Sequence, residues 1–384
     1  MIETDLIKSK LPDVGTTIFA VMSKMAADSG AINLSQGFPD FPIDPQLTEL
    51  VYKNMKKGHN QYAPMQGVPA LREAIANKIK HTYGADYDPD TEVTVTAGAT
   101  QGIYTTISAL VSEGDEVIVF TPAYDCYLPA VKLNNGTARH YQLSAPDYKV
   151  DWQEFRKLVN PRTKLIILNT PHNPTGTVLG ESDMQELEEI ITNSNAFLLS
   201  DEVYEHITFD GQSHASAARY PKLAARSLIV ASFGKTFHAT GWKIGYIYGP
   251  EYLMKEFRKV HQYLVYTINT PMQYALAEYL KSPENYENIS SMYEEKRDLF
   301  LDSIKGSRFK AIPSGGTYFQ LLDYSDISDE KEVPFAEKLT KEHGVAAIPV
   351  SVFYENKREQ QVLRFCFAKN DETLIEAANK LSEI

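Results

Sequence analysis

Apolar residues in this chain fall into two kinds of run. Short, nearly continuous apolar stretches alternate with longer ones in which apolar positions recur at helical spacing. Lys164-Leu-Ile-Ile-Leu-Asn169 is of the first kind, the pattern of a strand buried on both faces. Val93–Thr96, Glu116–Phe120, Phe197–Ser200, Leu228–Ser232 and Ile244–Tyr248 read as further strands. Val68–Tyr83 and Thr100–Val111 read as helices, and Ser182-Asp-Met-Gln185 reads as a capping box opening a helix that ends near Ile191. Strands alternating with helices predict an α/β fold, a mostly parallel sheet flanked by helices on both faces.

The pattern changes at two places. Residues 1–45 are rich in Gly and Pro (GFPDFPIDP) and read as an N-terminal arm of extended segments with one short helix near Thr16–Ala27. Residues 46–283 carry the strand–helix alternation and form a large domain. Residues 284–384 begin with a long charged helix over Asn285–Lys305. Short strands follow at Phe309–Ile312, Thr317–Leu322, Ala346–Pro349 and Leu363–Ala368, which predicts a smaller α+β domain. No internal repeat or low-complexity tract interrupts this order.

Composition narrows the class. The 384 residues hold 38 Lys and Arg against 50 Asp and Glu, a net charge of −12. Such an acidic surface disfavours a nucleic-acid partner, which needs clustered Lys and Arg. No apolar run reaches the roughly 20 residues that span a bilayer, and the N-terminus lacks the apolar core of a signal peptide. With only two cysteines, Cys126 and Cys366, no disulfide or metal framework is written in the chain. A cytoplasmic protein without a membrane or nucleic-acid partner is expected.

Candidate chemistry lies just after the strands, where open α/β sheets bind ligands. Val93–Thr96 runs into Ala97-Gly-Ala-Thr-Gln-Gly102 at a helix start. Lys164–Leu168 runs into Asn169-Thr-Pro-His-Asn-Pro-Thr-Gly176, and Phe197–Ser200 into Asp201-Glu-Val-Tyr204. Leu228–Ala231 runs into Ser232-Phe-Gly-Lys-Thr236, with Thr240-Gly-Trp-Lys-Ile-Gly245 close behind. Singly, each segment also suits an ordinary turn, a helix cap or a solvated charge. Together they place an anion-binding helix start, a carboxylate and a lysine at the ends of neighbouring strands.

This ordered set resembles the class I, fold-type I aminotransferases that depend on pyridoxal 5'-phosphate. It is most similar to the methionine, kynurenine and glutamine (phenylpyruvate) transaminase group. The shared stretches are INLSQGFPDF, NQYAPMQGVPALREA, NTPHNPTG, SDEVYEH, SFGKTFHATGWKIG and LRFCFAK, which run from residue 32 to 369. The resemblance implies a large cofactor-binding domain, a small domain sharing the arm, and a homodimer with a shared active site.

It also implies roles. Lys235 would join covalently to the cofactor aldehyde and later move the substrate's Cα proton. Asp201 would face the pyridine nitrogen and hold its proton. Tyr204 and Asn173 would reach the ring's phenolic oxygen, and Tyr124 would stack on its face. Gly98, Ala99, Thr100, Ser232 and Lys243 would hold the phosphate, with Tyr62 arriving from the neighbouring subunit. Lys243 stands where aspartate aminotransferases carry Arg, a departure that fits the kynurenine and glutamine group. Arg364 would pair with the substrate α-carboxylate, helped by Gly37 and Asn173. A structural salt bridge is the alternative for Arg364, a turn glycine for Gly37, and a core aromatic for Tyr62 and Tyr124.

The stretch Gly15-Thr-Thr-Ile-Phe19 and Tyr62 are expected to line an apolar side-chain pocket without a second Arg. The expected donor is thus a large neutral amino acid, with methionine favoured over glutamine, aromatic amino acids and kynurenine, and the acceptor is a 2-oxo acid. A β-lyase acting on cysteine S-conjugates or cystathionine would use the same residues. A non-catalytic regulator on this fold ordinarily lacks the lysine or carries an added domain. A nicotinamide-dependent dehydrogenase is disfavoured, because no Gly-x-Gly-x-x-Gly follows an early strand.

Overall fold

The computed structural model describes residues 8–384. Its strands in chain order are β1 (Ile32–Asn33), β2 (Val93–Thr96), β3 (Glu116–Thr121), β4 (Thr137–Gln142), β5 (Thr163–Asn169), β6 (Phe197–Asp201), β7 (Ser227–Ser232) and β8 (Gly245–Tyr248). Then come β9 (Lys310–Ile312), β10 (Phe319–Asp323), β11 (Val345–Ala346), β12 (Ile348–Pro349) and β13 (Val362–Cys366).

Strands β2 to β8 make a seven-stranded sheet in the order β2-β8-β7-β6-β5-β3-β4. Strands β4, β3, β5, β6 and β7 run parallel, and β8 lies antiparallel to both β7 and β2. Only β4, at one edge, has an exposed alternating pattern; β3 and the inner strands are buried almost throughout. Helices on both faces account for that burial, as the continuous apolar runs require. Because the parallel strands point the same way, the ends of β5, β6 and β7 share one edge, and helix Gly98–Leu110 begins beside them.

A second sheet, β12-β13-β10-β9, is antiparallel and comes from the last quarter of the chain. The arm packs beside it: β1 pairs in parallel with β11 as a separate two-stranded sheet, and Cys366 N–H at the end of β13 donates to Leu34 O at 2.8 Å. Residues 35–37 therefore hang from this sheet and face the carboxyl edge of the large one.

Three local expectations need correction. The helix expected to open at Ser182 spans Glu181–Thr192 with Gly180 at its N-cap. Asp183 reaches back to accept from Gly180 N–H at 2.9 Å, while Trp152 Nε1–H donates to its other oxygen at 2.8 Å. The tertiary bond to Trp152 selects Asp183 over Ser182. The long helix expected over 285–305 is two helices, Glu284–Glu287 and Ile289–Ser303, separated at Asn288. The arm helix expected near Thr16–Ala27 is Ile18–Ser29, capped by the Thr17 hydroxyl.

Candidate active site

A cavity of about 320 Å³ opens where the carboxyl edge of the large sheet meets the arm and the small sheet. Gly37, Gly98, Ala99, Thr100, Tyr124, Asn173, Asp201, Tyr204, Ser232, Lys235, Lys243 and Arg364 all line it. Tyr62 does not. It is 79% exposed on this chain, edge-on to Tyr266 with ring centroids 5.4 Å apart.

Lys235 lies in a short helical turn, Phe233–Thr236, that follows β7 directly. Its amine donates to the Tyr318 hydroxyl at 2.6 Å and to Gly37 O at 3.2 Å. Burial, with the nearby charges of Arg364 and Lys243, pulls the amine down to about 8. A nucleophilic amine near neutral pH needs such a shift.

Asp201 ends β6 with its carboxylate buried, accepting from the Tyr127 hydroxyl at 2.5 Å. Burial raises this carboxyl to about 6, against the Tyr127 hydrogen bond. A buried carboxylate so placed is suited to a cationic ring nitrogen. Asn169, at the end of β5, fixes the surroundings: its Nδ2 donates to Asp201 O at 2.9 Å and its Oδ1 accepts from Asn173 N–H at 2.8 Å.

The opposite end of the cavity is an anion cradle. Gly98 opens its helix at φ +72°, and a Cβ there would lie 3.3 Å from Lys243 Nζ. Lys243 itself sits at φ +53°, a conformation that carries its amine back over the helix start. Free N–H groups at a helix N-terminus, a lysine and the hydroxyls of Thr100 and Ser232 form a donor set for a phosphate.

Arg364 projects from β13 with 1% exposure. Nη1 donates to Asn173 Oδ1 at 2.7 Å and Nη2 to Ser35 O at 3.1 Å, while Nε is buried without a partner. Its guanidinium lies over Phe319, 3.9 Å from the ring centroid. Among the described residues its recorded partners are neutral, so the salt-bridge alternative does not hold. Burial lowers Arg364 only to about 10, leaving it charged at neutral pH. A buried cation with an idle donor suits an incoming carboxylate.

Gly37 is more than a turn residue, since a Cβ would fall 2.7 Å from the Phe319 ring. Of the stretch Gly15–Phe19, Phe19 lines the cavity. His172 turns away, bonded through Nδ1 to Thr175 Oγ1 at 2.7 Å. Tyr127, Asn169, Tyr318 and Phe319 are site residues that sequence reasoning missed. Tyr127 looks like an apolar helix start and Tyr318 like a strand aromatic; the only signals were that Tyr127 lies three residues after Tyr124 and that Asn169 opens the NTPHNPTG stretch.

A pyridine aldehyde that carries a phosphate asks for this combination of buried amine, buried carboxylate and anion cradle, so the residues present fit the cofactor. Fold and cleft together define a pyridoxal-phosphate-dependent enzyme. The chain belongs to the class I and II aminotransferases, whose family model matches residues 29–381. Its substrates are amino acids and 2-oxo acids. Methionine aminotransferase of Escherichia coli is 50% identical over 378 residues, 98% of each chain. A solved Escherichia coli structure with a methionine aminotransferase function superposes with a TM-score of 0.97 over 98% of this chain and 99% of that one. Human kynurenine–oxoglutarate transaminase 3 is 35% identical over 95% of this chain and 87% of its own. The solved Mycobacterium tuberculosis N-succinyldiaminopimelate aminotransferase is 36% identical, with a TM-score of 0.94 over 98% of this chain and 99% of that one.

Proposed function

We propose that this aminotransferase takes the amino group of a large neutral amino acid, methionine first, and passes it to a 2-oxo acid in the cytoplasm as a homodimer. The observation that carries the donor class is the single guanidinium of the cavity, Arg364, set among Phe19, Phe319 and Phe353. One arginine serves the α-carboxylate, and among the described residues no second one lines the cavity for a side-chain carboxylate. The 50% identity to a methionine aminotransferase supports methionine within that class.

When bound, pyridoxal phosphate supplies the electron sink that stabilises negative charge at the substrate Cα. Asp201 would hold the ring nitrogen protonated. Tyr204 and Asn173 would donate toward the phenolic oxygen, and Tyr124 would cover the ring. Gly98, Ala99, Thr100, Ser232 and Lys243 would hold the phosphate. Arg364, with Asn173 and Gly37, fixes the α-carboxylate and thereby the Cα–H bond. Lys235 would join the cofactor aldehyde at rest and, once freed, would take the substrate Cα proton and return it.

The partner subunit's copy of Tyr62 completes the phosphate site in this reading. Exposure of Tyr62, Tyr263 and Tyr266 on the single chain supports a face that a second copy covers. Pairing of β1 with β11 supports assigning the arm, residues 1–45, to the small domain of 284–384, against a large domain of 46–283. Among the described residues no helix is long and apolar enough to cross a membrane, in keeping with the cytoplasm.

The test is spectroscopic and kinetic. Purified protein should show a visible absorbance band that shifts on adding methionine, and kcat/KM for methionine should exceed that for aspartate. Aspartate as the faster donor would sink the substrate reading. Pyruvate and ammonia released without a 2-oxo acid acceptor would favour the lyase.

A further inference from the structure

Charged side chains lining the cavity are Lys235, Lys243, Arg364, Asp201 and Asp125. In the proposed function the first four have tasks: proton transfer, phosphate, substrate α-carboxylate and ring nitrogen. Asp125 has none. It directly follows Tyr124 and lines the cavity; the residue keeps solvent exposure, while partial burial in the cleft pushes its carboxyl above the usual range. Asp125 and Arg364 feel each other's charge, yet the hydrogen bonds that Arg364 makes go to Asn173 and Ser35 and not to Asp125.

A substrate held by its α-carboxylate at Arg364 and by its amino group near Lys235 has little freedom left. Its side chain must fill the rest of the cavity, whose lining includes Phe19, Gln36 and Asp125. A neutral side chain meets apolar surface and a carboxylate it does not repel. A side chain ending in a carboxylate brings like charge into a partly enclosed space, where water screens repulsion incompletely.

We propose that Asp125 sets the charge selectivity of the site, rejecting amino acids and 2-oxo acids that carry a second carboxylate. This rests on Arg364 as the α-carboxylate binder. It adds that the preferred acceptor is also a neutral 2-oxo acid, since donor and acceptor use the same cavity in turn. The reaction that supplies the acceptor is therefore one that yields a 2-oxo acid with an uncharged side chain.

The holoenzyme and its Asp125→Asn and Asp125→Glu variants test this. Two ratios of kcat/KM are measured, glutamate over methionine as donors and 2-oxoglutarate over phenylpyruvate as acceptors. The dissociation constant of succinate, a non-reacting dicarboxylate, is read from the cofactor absorbance. Asp125→Asn should raise both ratios and tighten succinate by about tenfold each, whereas Asp125→Glu should leave all three near wild type. Unchanged ratios and unchanged succinate affinity in Asp125→Asn would overturn the proposal, as would equal effects of Asn and Glu. The succinate arm does not depend on which amino acid is the best donor. A failure of the methionine reading is thus separable from a failure of this one.

Discussion

The amine of Lys235 and the hydroxyl of Tyr318 lie 2.6 Å apart, and the same hydroxyl donates to Gly37 O at 2.6 Å. One short loop thereby touches both Lys235 and Arg364, because Gly37 O accepts from the amine and Ser35 O, two residues earlier, accepts from Arg364. Tyr318 is buried against Tyr204 and Tyr293, so its ring is held by packing whether or not the hydroxyl is present. Tyr318→Phe should fold, at a stability loss of about 1 kcal/mol. It should lower kcat about tenfold with the donor KM near wild type, through misplacement of the amine. An unaltered kcat would mean the hydroxyl plays no part in placing Lys235.

Removing the amine itself is a harsher change. Lys235→Ala should lower turnover by at least about 10²-fold, the range of a lost acid–base group. The visible band should also lose its response to methionine. In the cofactor-free wild type, the rate of pyridoxal phosphate capture should rise with pH up to about 8, as the amine loses its proton. Substantial turnover by the alanine variant would refute the role given to this side chain.

Arg364→Lys keeps the charge and discards the planar fork. The guanidinium's two anchored nitrogens and its contact with Phe319 would go with it. Steady-state kinetics should show kcat/KM falling about 10²-fold for donor and acceptor alike, since both present an α-carboxylate. A loss confined to one of the two substrates would contradict a shared binding role.

Acid should unfold the protein through its buried histidines. Burial lowers His172 and His261 from 6.5 to about 4, and His238 likewise. Between the two values the unfolded chain binds more protons than the folded one, so stability rises with pH there. It is complete above 6.5 and lost as pH falls toward 4, at about 1.4 kcal/mol per pH unit for each such group. Melting temperature should be flat from pH 8 to 7 and drop steadily below 6.5; a flat curve down to pH 4.5 would contradict their neutral burial.

Behind the site, Lys78 Nζ lies 2.8 Å from Glu205 Oε1, with both side chains almost fully buried. Burial would raise Glu205, but Lys78, His206 and Tyr83 together hold it at about 2. Lys78→Met would strand that carboxylate and should cost about 3–5 kcal/mol in urea unfolding. Adding Glu205→Leu to it should recover part of the loss. Equal stability of wild type and Lys78→Met would show that the pair contributes nothing.

Much of this was readable in the chain. Apolar runs located β2, β3, β5, β6 and β7, and the polar segments after β2, β5, β6 and β7 hold most of the cavity residues that the large sheet contributes. Strand direction was not readable, since β8 has the same apolar character as its parallel neighbours while running antiparallel to them. Tyr127 and Tyr318 escaped notice because an aromatic in a buried element is ordinarily core, and their hydroxyl partners, Asp201 and Lys235, are 74 and 83 residues away. Tyr62 was legible as a motif residue, but its place in a site depends on a second copy of the chain.

The cavity's two walls have separate origins. The strand ends of the large sheet carry Asp201, Ser232 and Lys235, whereas Phe19, Gln36, Phe319 and Arg364 come from the arm and the C-terminal strands. Chimaeras that exchange residues 18–37 with those of a relative should therefore inherit that relative's taste in amino acids while loading vitamin B6 as before.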